Sequence, residues 1–379
     1  MSTVVTGMGA VSSIGGNVRE LFDAVCAGRS GLAELRAFDR SRYRAQHAYE
    51  IDDRPPGGGD IPLRATRWLL RAVAEAAASA GLGTDLRGIP VLVGTTLREL
   101  RSVELGWRDA TPFDVEDLHF GTALHRAFGA ERTFTVANAC SASLYALGMG
   151  CDLVDLGEAE TVIVAGVDSL TESTYGLLDR CYQEPPDQVR PFDRARRGML
   201  QGDGAVAVVL GKEGTDGPVP EARVRGVALN CDATHPSAPD AASIERVIRQ
   251  AHDRAGVGPG DVDLVLLHGT GTPLNDEAEA AAVSAVFGGA GTSPHLTAIK
   301  AATGHTAGAS GLHSLVIAVR AMRAGLVPPT VGLDDPIDAV ASWRLARGSA
   351  VPAPLLRLAQ VDSFGFGGLN AVAVLERVT

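Results

Sequence analysis

The sequence predicts an α/β fold built from two copies of one unit, with its sheet covered on both faces. Short β-branched runs alternate with alanine-rich stretches of helical length. The strand-like runs are continuously apolar rather than alternating, the pattern of strands buried on both sides. A small-residue helix also recurs once per half: a run after Ala142-Ser143 reaches Gly157, and another after Ala309-Ser310 reaches Gly325. Such a match in size and composition fits a duplicated α/β unit.

In chain order, "TVVTG" (3–7) reads as the first buried strand. The following "TGMGAVSS" looks like a dinucleotide fingerprint, but Ser12 stands where the third glycine belongs. It reads instead as a tight turn beneath a buried helix. A helix is expected at "RATRWLLRAVAEAAASAGL" (64–82), followed by a strand at "IPVLVGT" (89–95). After the first small-residue helix come strands at "TVIVAGVDS" (161–169) and "GAVAVVLG" (204–211). The Gly-, Pro- and charge-rich "GKEGTDGPVPEA" (211–222) is the expected junction, giving halves 1–213 and 214–379. In the second half "AASIERVIRQAHDRAG" (241–256) and "DEAEAAAVSAVFG" (276–288) read as helices flanking a strand at "VDLVLLHGT" (262–270).

The chain's 379 residues are ample for a sizeable core. A net charge of −11 argues against nucleic-acid binding, which needs a dominant basic field. Five cysteines without a CxxC pair suit neither a disulfide framework nor a zinc knuckle, so a reducing cytoplasm is the expected compartment. No signal peptide and no membrane span is expected.

Three segments place ionisable groups among Gly, Ala and Thr. In "NACSAS", Cys140 stands where a helix is expected to begin; the helix N–H groups there would favour thiolate over thiol, although a lone cysteine can equally be a small core residue. In "LLHGTGTPLND" (266–276), His268 ends an apolar run, and Thr270 and Thr272 offer hydroxyls suited to an elongated polar ligand; a satisfied turn histidine remains the other reading. In "AIKAATGHTAGASG" (298–311), Lys300 and His305 have no acidic neighbour. A buried lysine needs a carboxylate, and Glu279 is the candidate, unless this stretch is a solvated loop. A Cys-His-His zinc site fits the ligand spacing poorly, whereas nucleophilic acyl chemistry with two imidazole donors fits it better. A fourth segment, "VDSFGFGGLNAVAVL" (361–375), alternates Phe364 and Phe366 with glycines; it reads either as a loop that approaches a reacting centre or as a Gly-rich β-hairpin.

Taken together, "VVTGMGAVSSIG", "NACSAS", "RPFDRARRGMLQGDGA" (190–205), "HGTGTPLND", "KAATGHTAGASG" and "SFGFGGLN" resemble, in order and nearly end to end, the elongating β-ketoacyl-ACP synthases of the thiolase superfamily. The resemblance implies a thiolase-like fold with duplicated halves in αβαβα layers. It implies Cys140 as the acyl-accepting nucleophile in the N-terminal half, with His268 and His305 as its partners in the C-terminal half. Lys300 accompanies them, with Glu279 as its partner. Thr270 and Thr272 would hold a phosphopantetheine arm. Phe364 and Phe366 would form a gating loop, the Phe366 and Cys140 N–H groups together making an oxyanion hole.

No resident cofactor or metal is implied; substrates would arrive on the phosphopantetheine of an acyl carrier protein. Docking of that carrier is expected at Arg64, Arg67 and Arg71 on one helical face and at Arg194, Arg196 and Arg197 near the tunnel. A homodimer, or a heterodimer with a second ketosynthase-like subunit, is expected. The implied activity is decarboxylative condensation in fatty-acid or polyketide-like biosynthesis. Acyl transfer to an amine or hydroxyl, or a structural role in a heterodimer, are the alternatives. Three departures from the pattern stand out: a compressed stretch at 98–124, which in the family lines the acyl pocket and the dimer interface, Asp362 where asparagine is customary, and Gly202-Asp203-Gly204 in place of Gly-Glu-Gly.

Overall fold

The computed structural model describes residues 3–54, 59–214, 219–289 and 293–378. Eleven strands form one sheet: β1 (Thr3–Ser12), β2 (Val91–Gly94), β3 (Thr133–Val136), β4 (Thr161–Asp168), β5 (Gly204–Lys212), β6 (Ala222–Cys231), β7 (Leu264–Leu266), β8 (His295–Thr297), β9 (Arg344–Leu345), β10 (Leu358–Gly365) and β11 (Leu369–Arg377). Their order is β9-β8-β7-β10-β11-β6-β1-β5-β4-β2-β3. Read outward from the central β1/β6 pair, where Thr3 faces Val224, each half repeats the same antiparallel-then-parallel sequence of neighbours. The duplication expected from the two small-residue helices is thus present in the sheet itself.

The helices that position the site are α1 (Val18–Cys26), α2 (Arg64–Ser79), α3 (Leu100–Asp109), α4 (Phe120–Phe128), α5 (Ala142–Asp155), α6 (Glu172–Cys181), α7 (Ala241–Ala255), α8 (Pro273–Phe287), the short α9 (Lys300–Thr303) and α10 (Ser310–Ala324). One core lies between α2 and the first half of the sheet, with Trp68, Leu69 and Val73 packed on Val93, Ile163 and Val209. A second lies between α7 and α8 and the second half, with Val247, Ile248 and Val283 on Val265, Val372 and Val374. The largest lies between the halves, where α5 and α10 pack against strands from both. Leu144, Leu147, Leu312 and Val316 meet Val162 and Val208 on one side and Leu264 and Val361 on the other. The result is five layers, αβαβα.

Small residues make this stacking possible. A Cβ on Gly150 would press within 2.7 Å of Val164, whereas Gly148 on the same helix faces Val227 and Leu229 of the other half. Gly7 and Gly9, the glycines of the apparent fingerprint, lie inside β1 rather than in a turn. A Cβ at either would collide with the α2 backbone, 2.3 Å from the Ala76 carbonyl and 2.1 Å from that of Ala72. They serve close packing of β1 on α2, and the expected turn is absent there.

The two central helices start alike. A single 3-10 turn precedes each, at Ala139–Ser141 and Ala307–Ala309, and its first alanine is left-handed, with φ of 48° and 44°. This aligns Cys140 with Gly308, one residue off the match drawn from the sequence. The second start is sealed: the Asp168 carboxylate accepts the Gly308 N–H at 2.7 Å together with the Thr96 and Leu97 N–H groups and the Thr95 hydroxyl. The first start opens into a cavity.

Arg64 is a correction to the docking expectation. It is 3% exposed. Its guanidinium donates to the Ile51 carbonyl and Asp53 at 2.7 Å and to Asp60 at 3.0 Å, and lies 4.6 Å from the Trp68 ring. Asp203, the middle residue of the unusual Gly-Asp-Gly, sits 3.7 Å from it and accepts the Leu170 and Ile51 N–H groups. Arg67 and Arg71 are exposed on the same helix, but neither borders the cavity. Arg64→Ala leaves Asp60 and Asp203 buried beside an empty guanidinium site. Urea unfolding is expected to show a loss of about 3–5 kcal/mol, against less than about 0.5 kcal/mol for Arg67→Ala. Equal, small losses would refute the structural role of Arg64.

Candidate active site

Cys140 occupies the middle of the 3-10 turn that leads into α5 and is 8% exposed. The strained φ at Ala139 turns the chain so that the sulfur faces a cavity instead of the core. The turn is pinned from two other elements: the Ser363 hydroxyl on β10 donates to the Cys140 carbonyl at 2.9 Å, and the Ser310 hydroxyl on α10 does so at 3.3 Å. The backbone N–H groups of Phe366 and of Cys140 itself face the sulfur and favour its anion. Gly365 leaves room for this approach, since a Cβ there would lie 3.2 Å from the Cys140 nitrogen.

The cavity has a volume of about 820 Å³ and brings together Cys140, His268, His305, Thr270, Thr272, Phe364, Phe366, Arg194, Arg196 and Arg197. The rings of His268 and His305 lie 5.5 Å apart at 79°. His268 also packs against the Phe364 ring at 5.7 Å. Phe364 is buried and Phe366 is half exposed, both at the β10–β11 hairpin. The hairpin reading and the loop reading therefore describe the same segment.

Both imidazoles are driven to one tautomer. The Ala307 N–H donates to His305 Nδ1 at 3.1 Å, and the Lys300 ammonium lies 3.2 Å from His268 Nδ1. Burial, reinforced by the Lys300 charge, holds both rings well below the usual imidazole range, so they are neutral. A neutral ring that accepts at Nδ1 carries its proton on Nε2. His305 Nε2 is buried without a hydrogen-bond partner among the described residues. The pair thus offers two N–H donors to a single ligand atom.

Lys300 and Glu279 are both buried, but they do not form a direct ion pair as the sequence suggested. Lys300 donates to the His268 carbonyl as well as facing its ring. Glu279 accepts the N–H groups of His268 and Gly269, at 2.6 and 2.8 Å. One peptide, that of His268, is therefore gripped from opposite sides by an ammonium and a carboxylate. Burial lowers Lys300 and raises Glu279, while each charge favours the other. Asp362 lies in the same buried cluster, raised well above its usual range by burial and by Glu279, with one oxygen bound to the Gln360 amide at 2.8 Å.

The thiol behaves differently from the helix-terminus expectation. Burial pushes Cys140 up to about 11, and the Lys300 charge and the two N–H groups only partly offset this. The resting group is a thiol, with the features that would stabilise its anion already in position.

Thr270 and Thr272 are hydrogen-bonded hydroxyl to hydroxyl at 2.8 Å on the cavity wall. Their loop is tied to the Arg190–Arg197 segment by Asp276, which accepts the Phe192 N–H at 2.7 Å and the Gly271 N–H at 3.2 Å. Arg194 and Arg197 are about half exposed and paired with Asp338 and Glu184; Arg196 is nearly buried on Glu277. The sequence reading missed the apolar wall formed by Leu178, Tyr182 and Met199, which no motif marks. No residue of 98–124 borders this cavity within the single chain. Among the described residues, no three His, Cys, Asp or Glu side chains converge to hold a metal ion.

Residues 2–215 match the family described as "Beta-ketoacyl synthase, N-terminal domain" and residues 221–334 its C-terminal counterpart. The 3-oxoacyl-[acyl-carrier-protein] synthase 2 of Coxiella burnetii is 27% identical over 99% of this chain and 98% of its own. The tetracenomycin polyketide synthase ketoacyl synthase alpha subunit of Streptomyces glaucescens is 30% identical over 99% and 96%. The solved ishigamide ketosynthase/chain length factor superposes with a TM-score of 0.88 at 31% identity, covering 100% of this chain and 99% of that one. With matching sequence along nearly its whole length and the layered fold to go with it, the chain belongs to the β-ketoacyl synthase family.

Proposed function

We propose that the protein condenses an acyl thioester with a malonyl-type thioester through an acyl group on Cys140, each substrate carried on the phosphopantetheine of an acyl carrier protein. The observation that carries this reading is the convergence of two neutral imidazole N–H donors and a pair of backbone N–H groups on the cavity that holds one thiol. One pair suits an enolate oxygen, the other a tetrahedral oxyanion.

The Cys140 sulfur attacks the acyl thioester carbonyl, and its proton leaves with the carrier thiol. The malonyl-type thioester then enters. Its C–CO2 bond breaks, CO2 departs, and the electron pair passes to an enolate whose oxygen accepts from His268 and His305. These donors meet a charge that exists only along the reaction path, which is where such interactions accelerate a reaction. The enolate carbon attacks the acyl-Cys140 carbonyl, and the new oxyanion accepts from the Phe366 and Cys140 N–H groups. Collapse frees the Cys140 sulfur, which regains a proton, and leaves a β-ketoacyl thioester on the carrier. Lys300 acts through His268, holding its ring and tautomer. Thr270 and Thr272 line the route of the pantetheine arm. On this reading residues 1–213 supply the sulfur, and residues 214–379 supply the imidazoles and the Phe364–Phe366 loop.

Docking of an acidic carrier falls to Arg194 and Arg197, the exposed cations at the mouth. A partner subunit, whether a second copy or a related chain, fits the free edge of β3, the last strand of the sheet, where Phe134 is exposed. Among the described residues no helix is long and apolar enough to cross a membrane. With five free cysteines the cytoplasm is the compartment we assign.

Cys140→Gln is expected to abolish acyl loading and condensation, read by intact mass, yet to retain CO2 release from a malonyl thioester. Adding His268→Ala or His305→Ala should cut that release by about 10²–10³. A glutamine variant that still elongates would overturn the nucleophile assignment, and one inert toward CO2 release while folded and carrier-bound would favour acyl transfer to nitrogen or oxygen.

Alkylation of Cys140 by iodoacetamide, followed by peptide mass mapping, should climb with pH toward about 11. Lys300→Ala removes the charge that opposes the burial effect, so the rate near pH 8 should fall further with circular dichroism unchanged. An unchanged rate would remove Lys300 from the site.

Arg194→Glu with Arg197→Glu should slow reaction with carrier-bound substrate at least about tenfold while sparing a short pantetheine thioester, the signature of lost electrostatic steering. Equal loss on both substrates would refute the docking assignment.

A further inference from the structure

Tyr182 follows the last residue of α6, and no motif identifies it. Its ring lies across Gly198, where a Cβ would come within 2.8 Å of it. Its hydroxyl oxygen accepts the Met199 N–H at 3.3 Å. That bond uses the oxygen; the O–H proton has no protein acceptor among the described residues. Both Tyr182 and Met199 line the cavity that holds Cys140. Beyond them lies a void of about 10 Å³, bordered by Ala45, Tyr175 and Leu200 and too small for an acyl chain. Burial raises the phenol above its usual range; the Met199 N–H works against this, and the sulfurs of Cys181 and Cys140 add to it. The hydroxyl therefore stays protonated, within electrostatic reach of the sulfur that would carry the acyl group.

On the acyl-cysteine reading given above, we propose that Tyr182 is a specificity-determining residue whose O–H donates to an oxygen substituent on the acyl chain held by Cys140. The favoured acyl class is short and oxygenated, bearing a hydroxyl or keto group near the thioester, rather than fully saturated. Leu178 and Met199 beside it accommodate the carbon skeleton, and the Tyr182 O–H is the donor that distinguishes the two classes.

The test is the rate of Cys140 acylation, followed by intact mass, with 3-hydroxybutyryl and butyryl pantetheine thioesters. In the unaltered protein the oxygenated thioester should load about five- to tenfold faster, the scale of one neutral hydrogen bond. Tyr182→Phe should bring the ratio close to one while leaving the butyryl rate within about twofold. A ratio is insensitive to the fraction of folded protein, so a merely structural contribution of the hydroxyl would not move it. A ratio near one in the unaltered protein, or a preference that survives in Tyr182→Phe, would overturn the proposal while leaving the acyl-cysteine reading intact. Absence of any acylation of Cys140 would instead overturn the reading on which it rests.

Discussion

Two buried helices that come close to their neighbours through Gly148, Gly150 and Gly311 occupy the centre of the molecule, and most of the architecture follows from that constraint. Each half of the sheet carries an outer helical layer, and the inner faces of the halves are closed by α5 and α10 wedged between them. Glycines 148 and 150 let one helix touch both halves at once. Because the two helices are parts of a repeated unit, their starts share a left-handed alanine and a 3-10 turn. The position of the thiol is thus a product of how the layers pack: a side chain at the start of a buried helix is held and aimed by the backbone.

Charge in the site is arranged against burial, and the two effects are in deliberate opposition. Removing water raises a thiol, raises a carboxyl and lowers an ammonium or imidazolium. For the histidines this is an advantage, since neutral rings with occupied Nδ1 positions are donors and cannot wander between roles. For the thiol it is a handicap, which Lys300 and the N–H groups of Phe366 and Cys140 reduce without abolishing. The His268 peptide, held between Lys300 and Glu279, couples these demands, so a change at the lysine reaches both the ring and the sulfur.

Much of this was legible in the sequence because small residues cluster wherever backbone must approach backbone. The small-residue helices and the glycine-flanked His268, His305 and Phe364 mark such places, and the structure brings their side chains to one cavity. What stayed illegible depends on long-range partners. The arginines of α2 were spaced for one exposed face, yet Arg64 meets acids contributed by Asp53, Asp60 and Asp203 and is buried among them. Glu279 was assigned to the lysine as a direct partner, while its oxygens are taken by the His268 and Gly269 N–H groups and the Asn275 amide, which no pairing rule anticipates. Tyr182 and Met199 enter the wall through a loop with no periodicity at all.

The carboxylate of Asp168 that closes the second helix start bears on stoichiometry. Duplication gave the molecule two equivalent turns, each with its backbone N–H groups arranged for an anion. In one of them the protein's own Asp168 carboxyl accepts the N–H groups of Gly308, Thr96 and Leu97, and the residue at the cysteine position is Gly308, with no side chain to react. On the acyl-cysteine reading proposed above, an internally symmetric framework therefore carries a single covalent station, and any count of acyl groups above one per chain would have to be sought elsewhere than at the repeat.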